Sequence, residues 1–267
     1  VSITLLLDAD IVAFQLAATH QRTYRFPGME APCVAADDFE TLPLRIDAEV
    51  SKLTQAVKAD HVIVCLSCPT EENWRLKVLP SYKGHRDYSQ RPVHLKAVKD
   101  YLEANYPSYR RDTLEADDIM GILSTMKGLP KNFLAEHPQI PATSQKVIVS
   151  EDKDMKTIPG WLWNPKKDKA PWLVCEDQAN YWHFYQTLVG DTTDGYKGLP
   201  GCGEARAVKV LDYPSWDSVD ERWRRVVVAF EAKGHTEEDA LVQARVARIC
   251  RASDYDFKKK EVILWKS

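Results

Sequence analysis

The chain has 267 residues, 44% hydrophobic and 28% charged, with a net charge of −3. That length and apolar content allow one large α/β domain, or one domain with a small lobe, and exclude wholesale disorder. A net negative charge argues against nucleic-acid binding on average, but from Asn73 to Lys99 seven basic residues (Arg75, Lys77, Lys83, Arg86, Arg91, Lys96, Lys99) face one acid, Asp87.

The run Ile3 to Leu7 reads as a buried strand ending at Asp8, followed by a helical pattern from Ile11 to Ala18. Two acids interrupt this apolar start and no basic leader precedes it, so it reads as neither signal peptide nor membrane anchor. Residues 22–46 carry Pro27, Gly28, Pro32 and Pro43 and read as a long surface loop. Residues 47–59 have helical periodicity, and VIVCL at 62–66 is a second buried strand. The basic stretch 70–106 is broken by Pro80 and Pro92, with a helix expected from about 93 to 104. A helix with an acidic first turn follows at 115–127, then a short parallel-type strand at 147–149. The segment WLWNPKKDKAPWLV reads as a hairpin. A helix near 177–189, a glycine-rich turn at 198–203 and a helix at 204–212 lead into a largely helical 216–250 and a final short strand, EVILW. Cysteines 65 and 68 form a C-x-x-C without a second pair, which reads as buried thiols in a reducing, cytoplasmic setting.

Strand–helix alternation with buried strands implies a largely parallel sheet flanked by helices, an α/β class. Ligands in such sheets bind beyond the carboxyl ends of strands. Nine acids fall into four clusters near such positions: Asp8 and Asp10; Glu115, Asp117 and Asp118; Asp152 and Asp154; Asp191 and Asp194. Converging carboxylates repel unless cations hold them, and an all-oxygen set suits Mg²⁺ or Mn²⁺. Three of the clusters also have a plainer reading. Asp10 could cap the first helix, the acids at 115–118 could simply favour a helix dipole, and those at 152–154 could form an Asx turn. The turn Gly198 to Gly203, ahead of a helix, suits a helix–hairpin–helix whose backbone N–H groups meet phosphates.

The ordered motifs LLLDAD, LPSYKGHRD, EADD, SEDKDM and GDTTDG followed by GLPGCG resemble the 5′-3′ exonuclease and flap-endonuclease family, of PIN-like fold, over nearly the whole chain. The resemblance is to its phage members, which would place the protein in the host cytoplasm. It implies a nuclease core over 1–190, with an arch or gateway at 70–106, and a helical DNA-binding lobe over 191–267. By that resemblance Asp8, Glu115, Asp117 and Asp118 would hold one divalent ion, with Asp10 as a further candidate. Asp152, Asp154, Asp191 and Asp194 would hold or position a second. Lys83 and Arg86 would meet the scissile phosphate. Arg75, Lys77, Gly198, Gly201, Gly203 and Arg206 would contact DNA, with K⁺ at the 198–212 turn. One departure is visible: where the family commonly carries another Asp after the second strand, this chain has Ser67-Cys68-Pro69, with Glu71 and Glu72 only later. The function implied is metal-dependent 5′-3′ hydrolysis of duplex or 5′-flap DNA by a monomer, with RNA–DNA hybrids and replication proteins as further partners. The alternatives are a PIN-like RNase and a non-catalytic binder of branched DNA.

Overall fold

The apolar run at the N-terminus closes on an acid, and so does strand β1 (Ile3–Asp8). Asp8 ends the strand and at the same time caps helix α1 (Ala9–Ala18), its Oδ1 accepting from the Ile11 N–H. The structure, a computed structural model, describes residues 2–28, 33–212 and 218–266. After α1 come a two-stranded ribbon, β2 (Gln21–Tyr24) with β3 (Cys33–Ala36), then α2 (Leu42–Ala56) and β4 (His61–Cys65). Helix α3 (Leu95–Asn105), β5 (Ser108–Tyr109), α4 (Ala116–Thr125) and α5 (Lys131–Glu136) precede β6 (Gln145–Val149). The hairpin β7 (Gly160–Trp163) and β8 (Trp172–Val174) leads into α6 (Glu176–Val189). The chain continues through α7 (Glu204–Leu211), α8 (Val219–Glu231) and α9 (Glu237–Ala247) to the small pair β9 (Tyr255–Asp256) and β10 (Glu261–Val262).

The central sheet has the order β5-β4-β1-β6-β7-β8, parallel except for β8. Helices cover both faces, because Leu5 and Leu7 point to one side and Leu6 to the other. On the first side α1, α2 and α3 bury Ala13, Ile46, Val50, Val98 and Leu102. On the other, α4 brings Ile119, Ile122 and Leu123 against Leu6, Ile63 and Ile148. A third apolar cluster joins α6, α7, α8 and α9 around Phe184, Leu211, Trp223 and Phe230. Helix α6 bridges the two regions, since Ala179 packs with the sheet and Phe184 with the helices.

Two expectations need correction. Residues 22–46 are not one loop: they contain the β2–β3 ribbon, and α2 starts at Leu42 with Pro43 in its first turn. Proline fits there because the first N–H groups of a helix lack partners anyway. Segment 70–106, expected as an arch or gateway, does not form a continuous helical arch. Among the described residues, 70–91 form short 3₁₀ turns (Thr70–Glu72, Trp74–Lys77, Tyr88–Gln90), and α3 lies flat on the sheet with Val98 and Leu102 buried. Gly84 and Lys83, the latter at φ 54°, interrupt any longer helix. The cysteines at 65 and 68 are buried free thiols, as expected.

Candidate active site

Parallel pairing puts the ends of β1, β4 and β6 side by side, so Asp8 aligns with Cys65 and lies beside the segment after Val149. Asp8 is 2% exposed and its Oδ2 accepts a 2.6 Å hydrogen bond from Ser150 Oγ. Asp152 caps the next 3₁₀ turn, its Oδ1 taking the Asp154 N–H at 2.8 Å. Asp154 in turn accepts from the Gln186 amide on α6. Asp117, in the first turn of α4, has no hydrogen bond or ion pair to its carboxylate among the described residues. These acids line one cavity of about 860 Å³, together with Glu115, Asp191, Asp194 and the bases Lys83, Arg86, Arg91, Lys96 and Arg110.

Electrostatics mark this cluster as strained. Burial, with Asp10 and Asp152 nearby, pushes Asp8 up to about 7 despite its two hydrogen bonds. Burial and Asp152 push Asp154 up to about 7 as well. Asp117 is raised well above the ordinary value by burial and by Asp8 and Asp152, and Asp152 is raised by burial and by Asp194 and Asp191. The other acids have found cations. Burial would lift Glu115, but Lys83 and Arg75 outweigh it and hold it at about 2. Lys83 Nζ stands 2.5 Å from Glu115 Oε1 and 3.5 Å from Asp194 Oδ1, and Arg86 Nη2 lies 2.7 Å from the same Asp194 oxygen. Asp191 pairs with Lys153 at 3.1 Å and forms an Asx turn with the Thr193 and Asp194 N–H groups.

Not every expected residue faces the cavity as a free ligand. Asp118 is fully buried and spends both oxygens internally: on Arg75, the Trp74 indole, and the N–H groups of Glu115 and Cys250. In this arrangement neither Asp118 oxygen is offered to the cavity, which Asp118 does not line. Arg75, expected on DNA, is its buried partner, 3% exposed. Asp10 is paired with Lys99 of α3 at 2.8 Å. Gly198 is buried and gives its N–H to Gln243 Oε1, so it has none for a phosphate. Lys77, Gly201, Gly203 and Arg206 are exposed. Ser67, at the departure from the family pattern, accepts the Ala116 N–H through its Oγ and so helps start α4. Glu71, a possible substitute for the missing Asp, lines the cavity from an exposed turn.

Sequence reasoning missed Tyr82. Its hydroxyl lies 2.9 Å from both Glu115 Oε2 and Asp194 Oδ2, bridging two acidic clusters that are far apart in the chain. The only signal was its place beside Lys83.

The donor set fits divalent ions on this structure's own terms: hard oxygens, no histidine, and a carboxylate on Asp117 with no other partner. Among the described residues no three such side chains already stand in ion-holding geometry. Glu115, Asp194 and Asp191 are instead drawn onto Lys83, Arg86 and Lys153.

The chain is 30% identical over 234 residues to the exonuclease of Escherichia phage T7, covering 76% of this chain and 73% of that protein. It belongs to the 5′-3′ exonuclease and flap-endonuclease family. The flap endonuclease Xni of Aliivibrio salmonicida is 24% identical, over 69% of this chain and 72% of its own length. No protein-family model matches the chain. In fold, the T5 D15 protein co-crystallised with metal ions superposes with a TM-score of 0.53 at 15% identity, covering 92% of this chain and 97% of that one. A T5 5′-exonuclease structure with divalent zinc ions gives 0.53 at 16% identity, over 93% and 99%. These two likenesses concern the fold, a largely parallel sheet between helices. No helix among the described residues is long and apolar enough to cross a membrane.

Proposed function

We propose that the chain is a divalent-metal-dependent 5′-3′ exonuclease that also cuts 5′ flaps on duplex DNA and leaves 5′-phosphate products. The observation that carries this reading is the unneutralised acid group, Asp8, Asp117, Asp152 and Asp154, at the carboxyl edge of the sheet. A basic rim of Arg91, Lys96 and Arg110 surrounds it in the same cavity. Acids alone would repel a phosphodiester, and bases alone would only bind it.

Asp8, Glu115 and Asp117 would hold one ion, with Asp152, Asp154, Asp191 and Asp194 holding or placing a second. Mg²⁺ or Mn²⁺ is the match to this donor set, and K⁺ at the turn before α7 is what the family resemblance suggests. When bound, such divalent ions supply a water of lowered pKa and charge to offset the leaving oxygen. The protein's own groups do the rest. Lys83 and Arg86 bring cationic donors to the place where a phosphate's charge develops. Tyr82 holds Glu115 and Asp194 at a fixed separation. Lys77, Gly201, Gly203 and Arg206 offer exposed contacts to the duplex backbone outside the cavity.

The test uses blunt duplex, 5′-flap and RNA–DNA hybrid substrates, each labelled at the 5′ or the 3′ end. Release of short 5′-phosphorylated products in Mg²⁺, abolished by EDTA, is expected on both DNA substrates. Cleavage confined to RNA would favour a PIN-like RNase, and tight binding without cleavage a silent branched-DNA binder.

A further inference from the structure

Arg75 looks from sequence like part of a DNA-binding basic segment, and its surroundings contradict that. A guanidinium has five N–H donors. Here Nε donates to the Val246 carbonyl at 3.0 Å. Nη1 donates to Glu115 Oε2 at 3.1 Å and Asp118 Oδ2 at 2.8 Å. Nη2 donates to Asp118 Oδ1 and the Arg248 carbonyl, each at 2.8 Å. Five donors meet five acceptors, and the group lies over the Trp74 ring, 4.6 Å from its centroid. Nothing is left over for a phosphate.

We propose that Arg75 is a positioning residue that sets the ion-binding acids. It fixes Glu115 and registers α4 against the segment that follows α9. This rests on the reading of those acids as ion ligands. Arg75 and Asp118 form a two-bond fork inside the protein, a geometry that lysine cannot reproduce. The fork holds the first turn of α4, so Glu115 Oε2 is turned to Arg75 and Tyr82 while Asp117 stays turned to the cavity. The two carbonyls it binds lie at and just beyond the end of α9, the helix whose Gln243 also takes the Gly198 N–H. The glycine-rich turn and the acid cluster are therefore registered to each other through α9 and one guanidinium.

The experiment compares Arg75→Lys, Asp118→Asn and the double variant with wild type. The readouts are Mn²⁺ binding to the DNA-free protein by calorimetry, and duplex binding in Ca²⁺ as a function of salt. Groups that orient metal ligands typically carry about 10–100-fold in metal affinity. Each single variant should lose that much, and the double variant no more than the worse single, because both break one fork. The slope of log K against log salt should stay unchanged. A slope reduced by about one, the signature of a lost phosphate contact, with Mn²⁺ affinity intact would overturn the proposal. So would variants that fold and bind Mn²⁺ like wild type. If Arg75→Lys does not fold, the isosteric Asp118→Asn carries the test alone. Asp117→Asn separates the two levels: if it binds Mn²⁺ like wild type, the ion-site reading falls and the proposal with it. If it binds weakly while Arg75→Lys and Asp118→Asn do not, only the positioning role falls.

Discussion

Lys83 shows how one side chain is committed by its neighbours. Burial works against its charge, but Glu115 and Asp194 outweigh that and raise its pKa above the ordinary lysine value. It is a buried ammonium shared by two acids, at a backbone φ of 54°. Removing one partner of such a group leaves the others as uncompensated buried charge. If its ammonium acts mainly when charge develops on the phosphate, Lys83→Ala should lower the single-turnover rate by about 100-fold or more. Binding of a 5′-overhang duplex in Ca²⁺ should change only a few-fold. Lys83→Arg should recover part of the rate, because a planar fork does not replace a compact ammonium between Glu115 and Asp194. Wild-type cleavage by Lys83→Ala at saturating enzyme would leave Lys83 only as a structural partner of Glu115 and Asp194. The acids were legible at this scale because an Asp at the end of an apolar strand, as Asp8 is, has few uses other than a cap or a ligand; here it already caps α1. Arg75 and Asp118 were not, because sequence shows their charge but not whether it points inward. The buried fork depends on Val246 and Arg248, about 170 residues away in the chain.

At the scale of elements, the strongly periodic segments read correctly, as did the hairpin of β7 and β8, and the proline-broken stretch 22–46 did not. Strands β1, β4 and β6 and helices α4, α6 and α7 fall where apolar pattern and acidic first turns put them. The β2–β3 ribbon was hidden because its strands are almost wholly exposed and carry no alternating apolar face. Pro43 reads in sequence as a loop marker, and it serves as a helix opener. The glycine-rich turn was recognised, but its glycines differ in a way only the packing reveals. Gly198 has φ +61°, and a Cβ there would lie 2.4 Å from Gly190 N and 2.6 Å from the Leu188 carbonyl oxygen. Gly201 has φ +71° with nothing within 4 Å of a Cβ. Gly201→Ala should therefore cost only the left-handed strain, about 1–2 kcal/mol. Gly198→Ala adds a backbone collision of the kind that costs about 1–3 kcal/mol more, and it should also loosen the end of α6. Urea unfolding of the two variants should show this order. Equal losses would mean that the Gly190–Gly198 contact is not close in solution.

At the scale of the whole molecule, the apolar cores on the two faces of the sheet and among α6 to α9 hold one region of stored repulsion in place. That region should set how stability depends on pH. Asp8 and Asp154 stand at about 7 in the folded protein against an ordinary value of 3.8. Between those limits the native state binds more protons than the unfolded chain, so stability falls as pH rises through the window and levels off above the folded value. Buried His183 works in the opposite sense: burial and Arg248 hold it well below 6.5, so its contribution rises with pH and is complete by about that value. Glu115, held at about 2, is lost only as pH falls through its own low window. The acid cluster is therefore read most cleanly between pH ~6.5, where His183 has finished titrating, and about 8, where buried Lys146 titrates. In EDTA, the stability of the protein should decline from about pH 6.5 to 8, by up to about 1.4 kcal/mol per pH unit for each proton released. Millimolar Mg²⁺ or Ca²⁺ should flatten or reverse that decline, because ions bind the deprotonated carboxylates and release the same protons. Thermal melts at fixed ionic strength, with and without divalent ions, measure both curves. Asp8→Asn should remove part of the decline in EDTA. A wild-type stability that rises across this window in EDTA would show that the acids at the sheet edge are already neutralised by Lys83, Arg86 and Lys153, and that the cluster carries no unmet demand for cations.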